Sequence, residues 1–269
     1  MISFPHCKIN LGLSVVSKRP DGFHNIETCF YPVPRTDILE IIPASEFLFT
    51  SSGIPVPGLQ EDNLCIKAYQ LLRKDFGIGN IKMHLHKVIP MGAGLGGGSS
   101  DAAYVLQLLN SIFDLKLSVE QLKNYAAQLG SDCSFFIENV PMIGTGKGEI
   151  LSPVSIRLNG YYLVLVTPDV HVSTVEAYSG ILPQQSEFSI KEMLALPMAE
   201  WRGKLNNDFE KSIFKKYPFI GGYKEKMYSA GAGYAGMTGS GSSVFGIFEK
   251  PVDLKKDFSG LNYWSGELK

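Results

Sequence analysis

A glycine-rich segment at residues 90–103 has the composition of a binding loop. It reads Pro-Met-Gly-Ala-Gly-Leu-Gly-Gly-Gly-Ser-Ser-Asp-Ala-Ala. Glycines let a ligand approach bare backbone, and the apolar-periodic run that follows predicts a helix capped by Ser99, Ser100 and Asp101. A glycine loop that leads into a helix N-terminus offers free N–H groups, which bind anions and most often phosphate. The segment therefore predicts a nucleotide site.

Two other kinds of phosphate loop fit this segment poorly. A P-loop ends in Gly-Lys-Ser/Thr, and no lysine follows these glycines. Gly92, Gly94 and Gly97 match the dinucleotide fingerprint formally, but the preceding strand at 81–89 alternates apolar and polar residues. Strands of a doubly wound parallel sheet are apolar throughout. We therefore discount a Rossmann fold and expect a sheet with one face in solvent.

Three further segments carry groups that could complete a site. Lys8 and Asn10 lie on one face of a predicted strand, because side chains repeat every second residue. Asp132 follows a helix stop and precedes an apolar run, so it is either a cap of the next turn or a desolvated carboxylate that accepts a proton. Residues 236–246 form a second glycine–hydroxyl loop, which is either a simple hairpin or part of a shared site.

Histidines occur in two settings with different expected roles. Phe23 and His24 follow a turn signal and could stack on and read a heterocyclic base, although ordinary packing also explains such a pair. His84 and His86 share a strand face, but no carboxylate or cysteine accompanies them at ligand spacing, which favours a polar strand face over a metal site. Asp101 stands in the first turn of the helix that follows the glycine loop. It is expected to complement the dipole of that helix rather than to bind magnesium.

Composition restricts the class of protein. The 269 residues suit one large domain or two ordinary ones, and 45% apolar with 19% charged residues is typical of a folded soluble protein. A net charge of −1 gives no reason to expect a nucleic-acid or membrane partner. Four scattered cysteines and the absence of a signal peptide or a long apolar run predict a cytoplasmic protein. The oligomeric state is not indicated.

The order of the predicted elements indicates an α+β protein. The pattern restarts near residue 150, which predicts an N-terminal domain at 1–150 and a C-terminal domain at 151–269. The glycine cluster at 144–148 is either the junction or a tight hairpin. The predicted strands are 8–16, 24–33, 37–42, 47–50, 81–89, 149–156, 161–166, 234–238 and 243–248, and the predicted helices are 63–74, 99–113, 118–130, 174–180, 189–196, 206–216 and 219–230.

Taken together, residues 8–10, 90–100 and 238–243 resemble the three motifs of the GHMP kinase superfamily in order and spacing. The resemblance implies a two-domain α+β fold with the active site in the interdomain cleft, ATP over the glycine loop and Mg²⁺ bridging its phosphates. Residues 19–24 and 130–132 resemble those members that phosphorylate a hydroxyl of a cytidine-diphosphate-linked alcohol in the non-mevalonate route to isoprenoid precursors.

The resemblance also implies roles for individual residues. Lys8 and Asp132 would be catalytic, and Ser99 or Ser100 could contact the metal. The expected ATP-binding residues are Asn63, Leu64, Lys87, Pro90, Met91, Gly92, Ala93, Gly94, Leu95, Gly96, Gly97, Gly98, Ser99 and Ser100, and the expected substrate-binding residues are Asn10, Phe23, His24, Thr174, Thr238, Gly239, Ser240 and Gly241.

Two positions depart from this pattern, and two other functions remain open. Phe23 replaces a tyrosine, and Ser134 stands where a proline usually follows the aspartate. A sister kinase for mevalonate, phosphomevalonate or homoserine would have no use for a cytosine pocket. A non-catalytic ligand sensor on the same scaffold should have lost its base or phosphate contacts, and the retention of Lys8 and Asp132 argues for an enzyme.

Overall fold

The computed structural model describes all 269 residues and contains the α+β mixture that the sequence predicts. Twelve strands form three four-stranded sheets, and eight α-helices accompany them. The strands are β1 (Ile2–Ser3), β2 (His6–Lys18), β3 (His24–Thr36), β4 (Ile38–Pro43), β5 (Leu48–Gly53), β6 (Ile81–Lys87), β7 (Met142–Thr145), β8 (Ile150–Pro153), β9 (Tyr162–Thr167), β10 (Tyr234–Met237), β11 (Val244–Phe248) and β12 (Asn262–Glu267), and the helices are α1 (Leu64–Phe76), α2 (Gly97–Ile112), α3 (Val119–Leu129), α4 (Phe135–Glu138), α5 (Thr174–Ser179), α6 (Ile190–Leu194), α7 (Phe209–Lys216) and α8 (Pro218–Ser229).

The chain packs into two compact units that are discontinuous in sequence. The first unit contains residues 1–7, 35–91 and 96–140, and the second contains residues 8–34, 92–95 and 141–269. These units follow packing rather than chain order, so they differ from a division at residue 150. That division stays a prediction, as does the placement of a site relative to the two domains.

The sheet of the first unit has the order β1-β4-β6-β5 and is antiparallel except for the pair β5 and β6. Its strand β6 buries Ile81, Met83, Leu85 and Lys87 and turns the intervening residues outward, which confirms the predicted alternation. Helix α1 packs against α2 in this unit. A lysine in the inward row of a strand is unusual, and its partners are described below.

Two more sheets complete the fold. One has the order β2-β3-β7-β8, and the other, in the second unit, is antiparallel with the order β10-β11-β9-β12. Strands β9 and β11 are almost entirely buried in the core of the second unit. The glycine cluster at 144–148 covers the end of β7 and the turn that leads into its antiparallel partner β8, so the hairpin alternative is correct.

Local sequence signals explain where several helices begin and end. Asn63 caps α1 through its side chain, which accepts a hydrogen bond from the backbone of Cys65, and Gly77 ends the helix at φ +62°. The predicted capping box of Ser118 and Gln121 is present at the start of α3, and Gly130 follows its last residue. The short elements α4, β7 and β12 were not predicted, although β10 and β11, which are equally short, were.

The start of helix α2 corrects a prediction. The helix begins at Gly97, two residues earlier than predicted, and its N-cap is Gly96 at φ +69° with no side-chain cap. Glycine adopts this left-handed conformation without a Cβ clash, so the loop can turn directly into the helix. Ser99, Ser100 and Asp101 therefore lie inside the helix and do not cap it. No helix in the chain is both long and apolar enough to span a bilayer.

Candidate active site

Two glycine loops lie in backbone contact within the second unit. A Cβ on Gly94, which has φ +79°, would collide with the carbonyl oxygen of Thr238, and a Cβ on Gly239 would lie 3.1 Å from the Cα of Gly94. The Thr238 hydroxyl is 3.0 Å from the carbonyl oxygen of Gly94, and the Ser243 N–H donates to the carbonyl of Ala93 at 3.3 Å. Only glycine permits this approach. The loop at 238–243 therefore joins β10 to β11 and also contacts the first glycine loop.

Lys8 and Asn10 join the same group of contacts. The backbone N–H of Lys8 donates to the carbonyl of Leu95 at 3.0 Å, and its ammonium donates to the side-chain oxygen of Asn10 at 2.5 Å. The backbone N–H of Asn10 donates to the Thr238 hydroxyl at 3.1 Å. Both side chains are buried, and the Lys8 ammonium lies 5.4 Å from the centre of the Phe30 ring. The second unit thus brings together residues from all three motifs.

The remaining residues of the second glycine loop complete its turn. The N–H of Gly241 donates to the carbonyl of Thr238 at 3.0 Å, and Ser240 is half-buried between them. Asn207 stabilises this turn, because its side-chain amide donates to the carbonyls of Met237 and Gly239 at 2.9 and 2.8 Å. The loop is therefore held in one shape by hydrogen bonds to its own backbone and to a buried amide.

Asp132 occupies a turn of the first unit between α3 and α4. Its side chain is half-buried and follows Gly130, whose carbonyl accepts a hydrogen bond from the backbone of Cys133 at 3.1 Å. Ser134, in the position expected for proline, donates its hydroxyl to the carbonyl of Lys123 at 3.0 Å. The serine thereby ties the turn to α3, so the departure from the family pattern leaves the turn anchored.

A pocket of about 110 Å³ in the first unit gathers five of the expected ATP-binding residues. Asn63, Leu64, Lys87, Met91 and Gly98 line it. The other lining residues are Val56, Pro57, Asp62, Leu85 and Asp101. Apolar walls with a few polar groups suit a flat heterocyclic base.

Lys87 lies in a buried cluster that was not predicted. Its ammonium contacts Asp37 and donates to Asp101 at 2.8 Å, and all three side chains are nearly inaccessible. The second oxygen of Asp37 accepts from the backbone N–H groups of Val88 and Ile89 at 2.6 and 2.9 Å. The cluster therefore links the end of β6 to helix α2. The prediction that Asp101 complements the helix dipole is wrong, because this carboxylate pairs with a buried lysine instead.

Burial and charge act in opposite directions in this cluster. Burial raises the pKa of Asp101 to about 7, against the lowering effect of the Lys87 charge. Burial would lower the pKa of Lys87, but the charges of Asp101 and Asp37 outweigh it and raise that pKa. The sequence signal for this cluster was available, since a lysine on the inward face of an alternating strand requires a buried carboxylate partner.

The aromatic pair near the start of β3 is open on one side. Phe23 is 59% exposed, and the ammonium of Lys147 lies 4.9 Å from the centre of its ring. His24 stacks on Tyr178, with ring centres 4.6 Å apart and planes 16° apart. Asp21 accepts the backbone N–H of Phe23 at 3.1 Å, which fixes the turn. Lys147 and Tyr178 are additional to the predicted residues, and no local pattern pointed to them.

Other predicted residues occupy plainer positions. Thr174 is exposed at the first position of α5, where Ser173 caps the helix. His84 contacts the hydroxyls of Thr50 and Ser52, and His86 contacts Ser52, at 2.8–2.9 Å. The polar-face interpretation of the two histidines is confirmed, and the chain has no group of three histidine, cysteine or acidic residues that could hold a metal ion.

Comparison with known proteins identifies the class. Residues 63–143 match the model of the GHMP kinases N terminal domain, and residues 189–264 match that of the GHMP kinases C terminal domain. The chain is 52% identical to a protein of Cytophaga hutchinsonii over 97% of both chains, and 52% identical to one of Parabacteroides distasonis over the full length of both. The chain belongs to the GHMP kinase family, and ATP is the phosphate donor that this family implies.

The particular branch follows from the same relatives. Both are named 4-diphosphocytidyl-2-C-methyl-D-erythritol kinase. A crystal structure of 4-(cytidine 5'-diphospho)-2C-methyl-D-erythritol kinase superimposes with a TM-score of 0.84 at 30% identity, covering 99% of this chain and 98% of that one. The mevalonate kinase of Methanococcus jannaschii superimposes with a TM-score of 0.69 at 14% identity, which shows a shared fold only.

Proposed function

We propose that this protein is an enzyme that transfers the γ-phosphate of ATP to the 2-hydroxyl of 4-diphosphocytidyl-2-C-methyl-D-erythritol, a step in the non-mevalonate route to isoprenoid precursors. The observation that carries the proposal is the 52% identity, over nearly the whole chain, to two proteins named as this kinase. The aromatic pair Phe23 and His24 supports a cytosine-bearing substrate. A mevalonate or homoserine kinase would have no use for a cytosine pocket.

The nucleotide is proposed to bind through its base and its phosphates separately. The adenine would enter the pocket lined by Asn63, Leu64 and Met91, whose apolar walls suit a flat ring. The backbone N–H groups of residues 94–99 would hold the β- and γ-phosphates, and they are suited to this because α2 has no side chain capping its first turn. The glycines supply the backbone approach that a phosphate needs.

Phosphoryl transfer requires positioning and charge stabilisation more than covalent chemistry. We assign Asp132 as the group that accepts the proton of the attacking hydroxyl. Lys8 would offset negative charge near the attacking oxygen, and its hydrogen bond to Asn10 keeps its ammonium in a fixed place. Asn10 and Thr238 would act by holding Lys8 and the glycine loops, since their own polar groups are already hydrogen-bonded within the protein.

The residues of α2 fit a Mg²⁺ ion that is held mainly by the phosphates of ATP. Mg²⁺ usually keeps several waters and takes one or two protein oxygens beside substrate phosphates. Ser99 is half-buried in the first turn of α2, whereas Ser100 is fully buried with its hydroxyl unpartnered and Asp101 is engaged by Lys87. We therefore assign Ser99 as the hydroxyl that would hold the ion. The metal would neutralise charge on the transferring phosphate.

The cytosine would stack on the open face of Phe23 and meet the ring nitrogens of His24. Tyr178 supports His24 from the other side, and Lys147 adds a positive charge beside Phe23. Thr174 is an exposed hydroxyl available to the alcohol part of the substrate.

None of the four buried cysteines forms a disulfide, which supports the predicted cytoplasmic location because that compartment keeps thiols reduced.

The test is ADP release by the purified protein with Mg-ATP and one of three alcohols. The alcohols are 4-diphosphocytidyl-2-C-methyl-D-erythritol, mevalonate and homoserine. Turnover with the cytidyl substrate alone is expected. Turnover with mevalonate or homoserine instead would keep the kinase and reject the cytosine pocket, and ATP binding without turnover of any of the three would favour the non-catalytic sensor.

A further inference from the structure

His171 lies in a segment that is anchored on both sides. The carbonyl of Val170 accepts a hydrogen bond from the Ser242 hydroxyl at 2.7 Å, and the side chain of Val172 is buried in the core of the second unit. Ser173 then caps α5. Because its neighbours are fixed to the core and to the second glycine loop, the position of His171 is fixed as well.

The ring of His171 lies directly against the first glycine loop. A Cβ on Gly92 would come within 2.6 Å of Nδ1 and 2.7 Å of Cε1 of this ring, and Gly92 has φ +63°. The next residue, Ala93, accepts a hydrogen bond from the backbone of Ser243, which adjoins the residue that holds Val170. The imidazole therefore occupies the space that any side chain at position 92 would need.

The ring of His171 makes no hydrogen bond within the protein. His171 is exposed, and neither of its nitrogens has a hydrogen-bond partner. His84, His86 and His6, by contrast, all hydrogen-bond to neighbouring hydroxyls. An unpartnered N–H donor beside a glycine loop is suited to an anionic oxygen.

We propose that His171 donates a ring N–H to a phosphate oxygen of a bound nucleotide. The inference rests on the proposed function, which supplies two sources of the same diphosphate chemistry, namely the phosphates of ATP and the cytidine diphosphate of the acceptor. His171 would then be a binding residue on the Gly92 side of the loop, in addition to the backbone N–H groups. A ring that only fills space would serve equally well as phenylalanine.

The test is calorimetric titration of the full-length protein with ADP and, separately, with CDP. His171→Phe keeps a flat ring against Gly92 and removes both nitrogens, and His171→Gln restores an N–H donor. One lost hydrogen bond to a charged group is expected to weaken the affinity of His171→Phe for one of the two nucleotides by roughly 10-fold. His171→Gln should recover part of that loss, and the nucleotide that responds identifies the phosphate. His86→Phe is the matched control, expected to leave both affinities unchanged.

The outcomes separate this inference from the proposed function. Affinities of His171→Phe within twofold of wild type for both ADP and CDP would overturn the contact, whatever the substrate. If the wild-type protein turns over mevalonate instead and the His171→Phe variant has a lower affinity for ADP, the proposed substrate is rejected and the contact is retained. A wild-type protein that binds neither nucleotide would overturn both.

Discussion

The buried cluster of Asp37, Lys87 and Asp101 and the aromatic pair Phe23 and His24 differ in their exposure to solvent. In the cluster, each charge is removed from water and paired with another side chain. In the pair, Phe23 is 59% exposed and keeps one face open. Buried polar groups must pair with one another, whereas an exposed aromatic ring is available to a ligand. Changes in the cluster should therefore appear in the free energy of unfolding, and changes at open positions in the kinetics.

The largest kinetic effect is expected at Asp132. Asp132→Asn removes the proposed proton acceptor but keeps the size of the side chain, so turnover should fall by ~10²–10⁴, or roughly 3–5 kcal/mol, with ATP affinity nearly unchanged. Steady-state ADP release measures the turnover, and urea denaturation should show little change in stability. Asp114→Asn, at an exposed carboxylate, is the control. A variant of Asp132 that keeps more than about a third of wild-type turnover would exclude the assigned role.

Lys87 should give the opposite result, a loss of stability. Lys87→Met keeps the length of the side chain but leaves two buried carboxylates without their cation, which is expected to reduce the free energy of unfolding by about 3–5 kcal/mol. The urea midpoint measures this. Lys204→Met is the matched control, because Lys204 pairs with Glu200 on the surface and such pairs contribute less than about 1 kcal/mol. Equal midpoints for the two variants would contradict the structural role of the cluster.

Local sequence patterns predicted some features of the fold and the site, and contacts between distant segments were missed. The glycine loops, the alternation of β6 and the shared strand face of Lys8 and Asn10 were all predictable, because each depends on a local pattern. The partners of Lys87 were not, since Asp37 lies fifty residues earlier in the chain. Lys147 and His171 were missed for the same reason, as their places follow from packing between distant segments. The start of α2 was misplaced because serine caps are favoured locally, whereas the left-handed Gly96 begins the helix without one.

Phe23 provides the complementary test at an open position. Phe23→Ala removes the proposed stacking face, so the KM for the cytidyl substrate should rise by the equivalent of about 1–3 kcal/mol, while the KM for ATP and the urea midpoint stay the same. Phe188→Ala is a matched control, because Phe188 is 57% exposed and was not assigned to any site. An unchanged substrate KM in Phe23→Ala would remove this ring from the pocket and leave His24 and Tyr178 as the aromatic groups to test.

The last expected effect is a dependence of stability on pH that Asp101 should show. Burial raises the pKa of Asp101 to about 7, so the folded protein binds a proton that the unfolded chain, with an ordinary aspartate, has already released. The folded state is therefore favoured at low pH, and this contribution is lost as pH rises from about 4 to 7, by at most about 1.4 kcal/mol per pH unit. Asp101→Asn removes the titration and should gain stability relative to wild type between pH 5 and pH 8. Urea midpoints of the two proteins measured across this range test the sign, and a constant difference would mean that the Lys87 charge keeps Asp101 ionised throughout. In that case the cluster would be a permanent ion triad, and its contrast with the open aromatic pair would be greater still.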